Sequence, residues 1–187
     1  MAKASEILQP TLSRISQVIA SLNISHWKAP NEVRAATQQN ADSIQRDMSG
    51  TLPGLLATAD TDPSRVSAVF PVYRNIDALY DVLLRVSETA GLAAPQREMS
   101  DIHDALQQLE SARTNLGNAI FTLAKNNEAA TIKLQAIVEQ QAAAARATTT
   151  PAKTTVIDDG PVKTTTRKKK KKPATSAPTT TQPAPQQ

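Results

Sequence analysis

Six contiguous cations, Arg167 followed by Lys168, Lys169, Lys170, Lys171 and Lys172, have the plainest chemistry in this chain. Each can neutralise a phosphate and release a counterion, so engagement of most of them predicts a log-log salt slope of roughly −4 to −5 on nucleic acid. No aromatic residue follows Phe121, so no side chain near the run can stack on a base. The run therefore suits weak, salt-sensitive, sequence-blind contact with nucleic acid or with an anionic polymer or membrane surface. A solvating charge run that binds nothing has the same composition.

Side chains for catalysis or metal binding are sparse. There is no cysteine, which removes thiolate ligands, cysteine nucleophiles and disulfides. The two histidines, His26 and His103, lack ligand spacing: neither has a Glu three residues before it, as the Glu-x-x-His pairs of di-iron bundles require. Asp101, His103 and Asp104 cluster where a helical pattern begins, and acidic residues are expected there from the helix dipole alone. Helix capping is the reading this cluster favours. Gly50-Thr51-Leu52-Pro53-Gly54 lacks the Lys-Ser/Thr of a phosphate loop and reads as a helix break. Arg74, Asp77, Asp81 and Arg85 have the spacing of ordinary intrahelical ion pairs, with a buried network between helices as the alternative. Trp27, beside His26, is expected to plug one end of the fold. The chain is expected not to be an enzyme and to carry no cofactor.

The elements that position these groups read as helices. Leu8, Leu12, Ile15, Ile19 and Leu22 define an amphipathic helix over about Ser5 to Asn23, whose regular part is expected to begin near Pro10. A second helix starts at Pro30 and carries Val33, Ala36, Asn40, Ile44, Met48, Leu52, Leu55 and Leu56, with a kink or short break at Gly50 because Pro53 cannot donate to the Ser49 carbonyl. A third is expected with Asp62 as N-cap and Pro63 as first residue. It shows Val66, Val69, Val72, Tyr73, Ile76, Leu79, Tyr80, Leu83 and Val86 on one broad face, a bend at Pro71, and Gly91 as C-cap. The fourth is the longest: Ile102, Leu109, Leu116, Leu123, Ala130 and Ile137 recur every seven residues, flanked by Leu106, Ile120 and Leu134. Such a heptad seam is coiled-coil-like, and Pro95 to Arg146 spans roughly 75 Å at 1.5 Å per residue.

These elements predict an all-α fold, an antiparallel up-down bundle of about four helices over 1–147, followed by a disordered Thr/Pro/Lys-rich basic tail over 148–187. Only 3 % of residues are aromatic and only five are glycine, which disfavours an all-β fold. The total charge of +4 conceals a division: residues 148–187 carry +6 and residues 1–147 carry −2, so the basicity belongs to the tail. Helices two and three are each about 42 Å long, too short to cover helix four. The excess must overhang the turn near Asp62, from about Lys125 onward. An apolar stripe in water implies a partner, so Ala130, Leu134, Ile137 and Val138 are the candidate partner-binding residues, facing a second copy or another helix. A fold-back at Asn126-Asn127 and a fraying alanine-rich end are the competing outcomes.

The leading functional expectation is therefore a structural or interaction protein working through the long last helix. The alternative is nonspecific nucleic-acid or anionic-polymer binding through Arg167 to Lys172. No apolar run reaches the ~20 residues of a membrane span, and no secretory apolar core follows the N-terminus. The chain reads as cytoplasmic as written, or periplasmic if a signal peptide stands upstream.

Two likenesses add to this. The tail, through Pro151-Ala152-Lys153 and Lys172-Pro173-Ala174, resembles in composition the Lys/Ala/Pro/Thr extensions of linker-histone-like and bacterial nucleoid proteins. The stretch Arg74-Asn75-Ile76-Asp77-Ala78-Leu79-Tyr80-Asp81-Val82-Leu83-Leu84-Arg85-Val86, with His26-Trp27-Lys28-Ala29-Pro30, resembles an uncharacterised bacterial all-helical family. That likeness would span most of residues 24–140. It implies no activity and no site residues, and some members carry an export signal.

Overall fold

A computed structural model of the chain describes residues 3–148, and its contacts divide the chain into two units, Met1–Ala145 and Arg146–Gln187. The first unit is an all-α, antiparallel up-down bundle. Its elements are α1 (Ala4–Ser21), a 3-10 turn (Ile24–His26), α2 (Asn31–Ser49), α3 (Thr51–Thr61), α4 (Val66–Ala93) and, up to Ala145, α5, which is assigned over Gln96–Thr148.

Helix α1 buries Leu8, Leu12, Ile15 and Ile19 on the side their spacing defines, joined by Ala4 and Val18. It starts before Pro10, not at it. The Lys3 amide donates to the Glu6 carboxylate at 3.2 Å, which supplies an acceptor for one of the amides left over at a helix start. Helices α2 and α3 form one rod broken at Gly50, as Pro53 requires. The Gly50 amide still donates to the Arg46 carbonyl at 2.9 Å, and a Cβ at Gly50 would lie only 2.9 Å from that same oxygen. Glycine is the residue that permits the close approach.

Two expected helix ends fall elsewhere. Helix α4 begins at Val66 with Arg65 as N-cap, not at Pro63 with Asp62 as N-cap. The Asp62 carboxylate is engaged in the turn itself, accepting from Ser64 Oγ at 2.9 Å and Arg65 Nε at 2.9 Å. At its other end α4 passes through Gly91 without interruption and stops after Ala93. Ala94 is extended, with φ −79° and ψ 157°, because the ring of Pro95 excludes the helical conformation from the residue before it. Pro71 lies inside α4, where it cannot donate to the Ser67 carbonyl.

Hydrogen bonds between elements fix the alternation of direction. The Ser5 amide donates to Asp60 Oδ1 at 3.2 Å, joining the start of α1 to the end of α3. At the opposite end, the Lys28 amide donates to the Ala93 carbonyl at 2.9 Å. Between them, Asn75 Nδ2 of α4 donates to Asp47 of α2 at 2.9 Å. The core enclosed by the rods is aliphatic: Leu8, Ile15, Ile44, Ile76, Leu83 and Leu109 are fully buried, each contributing about 1.5–3 kcal/mol. Trp27 is the sole buried aromatic residue among those described, 1 % exposed, and closes the end where α4 meets α5. Among the described residues, no helix is long and apolar enough to cross a membrane.

Candidate interaction surface

Helix α5 is held to the bundle by a graded series of contacts. Glu98, in its first turn, accepts from Trp27 Nε1 at 2.7 Å and from the Asn23 amide at 3.1 Å. One carboxylate thus satisfies the buried indole N–H and the end of α1 together. One turn on, Asp101 binds Arg14 of α1 at 2.7 Å, so its charge is spent across helices and not on capping α5. His103 and Asp104 point to solvent.

Further along, Arg113 joins three groups. Its guanidinium donates to Glu110 on its own helix at 2.9 Å and to Asp77 of α4, and lies 4.5 Å from the centre of the Tyr80 ring. Its pKa is raised further above the ordinary arginine range, most of all by the hydrogen bond to Glu110; desolvation, the next-largest effect, opposes the rise, and the hydrogen bond to Asp77 and the charges of the two carboxylates add to it. Asp77 therefore pairs between helices. Among the described residues, no ion pair joins Arg74 or Arg85 to Asp77 or Asp81 within α4. One turn past Arg113, Gly117 meets the Tyr73 ring, where a Cβ would stand 3.3 Å from Cε2. The two helices approach closely there.

Beyond Leu123 the cover ends. Leu123, 8 % exposed, is the last buried residue of α5. Asn127 Nδ2 donates to the Ser64 carbonyl at 3.3 Å, at the α3–α4 turn. From Ala124 to Ala143 every residue is exposed, and the helix continues without interruption through Asn126 and Asn127. The fold-back is therefore not adopted, and the overhang leaves the bundle at the turn that the helix lengths imply.

The candidate residues Ala130, Leu134, Ile137 and Val138 all lie on this arm. Leu134, Ile137 and Val138 are 63 %, 49 % and 62 % exposed. Leu134 follows Leu116 by eighteen residues, five full turns at 3.6 residues per turn, so both lie along one line of the helix. Leu116 is fully buried. The arm thus carries onward the stripe that faces the core in the first half of α5. The other candidates, Arg167 to Lys172, lie outside the described residues.

Elsewhere the surface offers little for acid-base chemistry. A groove of about 590 Å³ between α1 and the α2–α3 rod has a floor of Leu12, Leu52 and Leu56 and a rim of Ser5, Gln9, Ser13 and Gln17. None of its lining residues titrates. His26 Nδ1 sits 2.7 Å from Asn23 Oδ1 and 3.0 Å from Ser25 Oγ, inside its own turn. Among the described residues, no cluster of three or more His, Cys, Asp or Glu is placed to hold a metal ion. A small cleft between α2 and α4 holds the buried Asn75 Oδ1, which has no protein partner.

The chain matches no protein-family model, no curated protein and no solved structure. The contacts that hold α5 were not evident from local spacing. One signal does stand in the sequence: Arg113 is seven residues from both Leu106 and Ile120, a charge between two apolar positions of one column, and such a charge needs a partner on a neighbouring helix.

Proposed function

We propose that the protein is a non-enzymatic structural or interaction protein whose bundle is a scaffold for the arm of α5, and that the arm pairs in coiled-coil fashion with another helix. The observation that carries this reading is the stripe of Leu134, Ile137 and Val138, exposed on a helix that continues out of the bundle. The stripe lies on the side of α5 that other helices cover before Ala124. An apolar helical face in water is stabilised when it meets another such face.

The experiment compares capture of native-host proteins by the full chain and by its Leu134→Asp, Ile137→Asp variant. The expected result is loss of the bound partner with the variant and its retention when residues 148–187 are deleted. Equal capture by the wild type and the variant would overturn the reading.

The charge run supports a second reading, in which Arg167 to Lys172 hold nucleic acid or another anionic polymer. That reading requires retention on DNA and heparin that falls steeply with salt and disappears with residues 148–187. Intact protein that is not retained at low salt would eliminate it.

A further inference from the structure

We infer that the outer seam between α4 and α5 is a stacking platform for the bases of single-stranded nucleic acid, built by Phe70 and Phe121 and bracketed by Arg74 and Lys125. This rests on the second reading, in which the charge run holds nucleic acid. It goes beyond that reading by assigning a site on the bundle and a preference for one kind of strand.

The placement of the aromatic residues comes first. Trp27 is buried at one end of the bundle, and the two tyrosines and two phenylalanines all lie on α4 and α5. Tyr80 meets Arg113 and Tyr73 meets Gly117. The helices are antiparallel, so Phe70, three residues before Tyr73, stands level with the turn of α5 that holds Phe121, four residues after Gly117. The Phe70 ring stacks on Tyr73, with centroids 6.2 Å and planes 18° apart, which keeps it on the α5 side of α4. Phe121 lies about 40° around α5 from Gly117 at 3.6 residues per turn. Both rings face solvent: Phe70 is 46 % and Phe121 71 % exposed.

Charge selects what covers them. Within one turn of either phenylalanine along its own helix, Arg74 and Lys125 are the only charged residues, and among the described residues neither has an ion-pair partner. Arg74 follows Tyr73, level with Gly117, and Lys125 stands one turn beyond Phe121, so the two cations lie on either side of the rings. The closest carboxylates are engaged, Asp77 and Glu110 by Arg113 and Asp62 by Arg65. Glu128 and Asp81 stand two and three turns from Phe121 and Phe70 along their helices. None of the exposed aliphatic side chains lies within two turns of either ring along α4 or α5, so an aliphatic partner helix finds no matching contacts here. An aromatic ring beside unpaired cations suits an unstacked base and its phosphates, whatever the base. A duplex keeps its base faces inside its own stack and offers the rings nothing to cover them.

Binding of fluorescent oligothymidylate and of a duplex of equal length to the full chain at low salt provides the test. The single strand should bind more tightly. Phe121→Ala, at an exposed position, should leave the unfolding midpoint unchanged and weaken single-strand binding by roughly fivefold or more, the lower end of what one stacked base contributes. Duplex binding should stay within about twofold, since phosphate contacts alone hold it. Replacing Arg74 and Lys125 together by Ala should lower the single-strand salt slope by about 1.4. In Phe121→Trp, the added tryptophan should be quenched by oligothymidylate and not by the duplex. Equal single-strand affinity of the wild type and Phe121→Ala would overturn the inference, and if deletion of residues 148–187 still abolishes binding, the charge-run reading stands. Absence of binding to either nucleic acid at low salt overturns both, so the two failures are distinguishable. A host protein that the wild type captures and Phe121→Ala does not, with no single-strand binding by either, would assign the seam to a protein partner and overturn the inference.

Discussion

Leu116 and Leu134 stand on one line of helix α5, yet the first is fully buried and the second 63 % exposed. The two halves of this helix share periodicity and backbone geometry. They differ in what lies beside them. Along the first half, α1 and α4 supply Arg14, Asp77 and the Tyr73 and Tyr80 rings to meet Asp101, Arg113 and Gly117. Along the second half the neighbouring rods have ended. A hydrophobic pattern specifies which side of a helix would be covered, and the lengths of the neighbours decide whether it is. The second half remains helical because its residues favour helix locally: Ala129, Ala130, Ala136 and Ala142 to Ala145 have the highest intrinsic propensity, and Gln, Glu and Lys fill much of the rest.

The largest effect that tests this contrast is truncation of each leucine. Leu116→Ala should cost about 2–5 kcal/mol in urea unfolding, through lost burial and a cavity. Leu134→Ala, measured in the dilute protein, should cost less than about 0.5 kcal/mol. Equal costs would abolish the distinction. A gap that narrows as protein concentration rises would sharpen it, because only a covered Leu134 has burial to lose.

Next in size is the start of the covered half. Glu98→Ala leaves the buried Trp27 N–H without its acceptor, a loss of about 1–3 kcal/mol. Trp27 is the one tryptophan of the chain, so its emission should shift to the red as water reaches the ring. An unchanged midpoint with unshifted emission would mean that this end of α5 is not held by its first turn. Arg113→Lys should be milder, about 1 kcal/mol or less, since the guanidinium is partly exposed and exposed ion pairs contribute little. A lysine keeps the charge but cannot present donors to Glu110 and Asp77 in the planar fork of arginine. Because the Arg113 pKa is raised in the folded chain, its contribution is complete below the ordinary arginine range and is lost only as pH climbs above it. Acid or neutral titration should therefore leave the Arg113→Lys difference with no component from Arg113 itself.

How much of this was legible from the residues depended on whether the deciding interaction was local. The break at Gly50 was legible because Pro53 removes a donor within the same rod. The overhang was legible because rise per residue is fixed and helix lengths can be compared. The start of α4 was not: Asp62 and Pro63 have the composition of a helix start, but the Asp62 carboxylate bonds to Ser64 and Arg65 and closes a turn first. Gly91 failed as a stop because Pro95 acts on Ala94 and so sets the end of α4 later. Asp77 and Asp101 found partners 36 and 87 residues away, and no spacing rule within one helix encodes which rod will lie alongside. For the candidate surface, Ala130, Leu134, Ile137 and Val138 were legible from the seam, whereas their exposure followed only from the comparison of lengths.

The smallest effect lies at the junction. Asn127 donates to the Ser64 carbonyl at 3.3 Å from an exposed position, where water can replace the amide with little loss. Asn127→Ala should therefore change global stability by no more than about 0.5 kcal/mol. Its effect should appear in hydrogen exchange instead. Backbone amides near the start of the arm, around Ala124 to Ala130, should exchange faster in the variant, while those near Leu109 and Leu116 keep the protection of global unfolding. A global loss above about 1 kcal/mol would mean that the arm unfolds with the bundle as one cooperative unit, and that the boundary drawn by exposure at Ala124 is not an energetic one. Faster exchange confined to the arm would place that boundary within one helical turn of Asn127, where α5 passes from a helix held by its neighbours to one held by its own backbone.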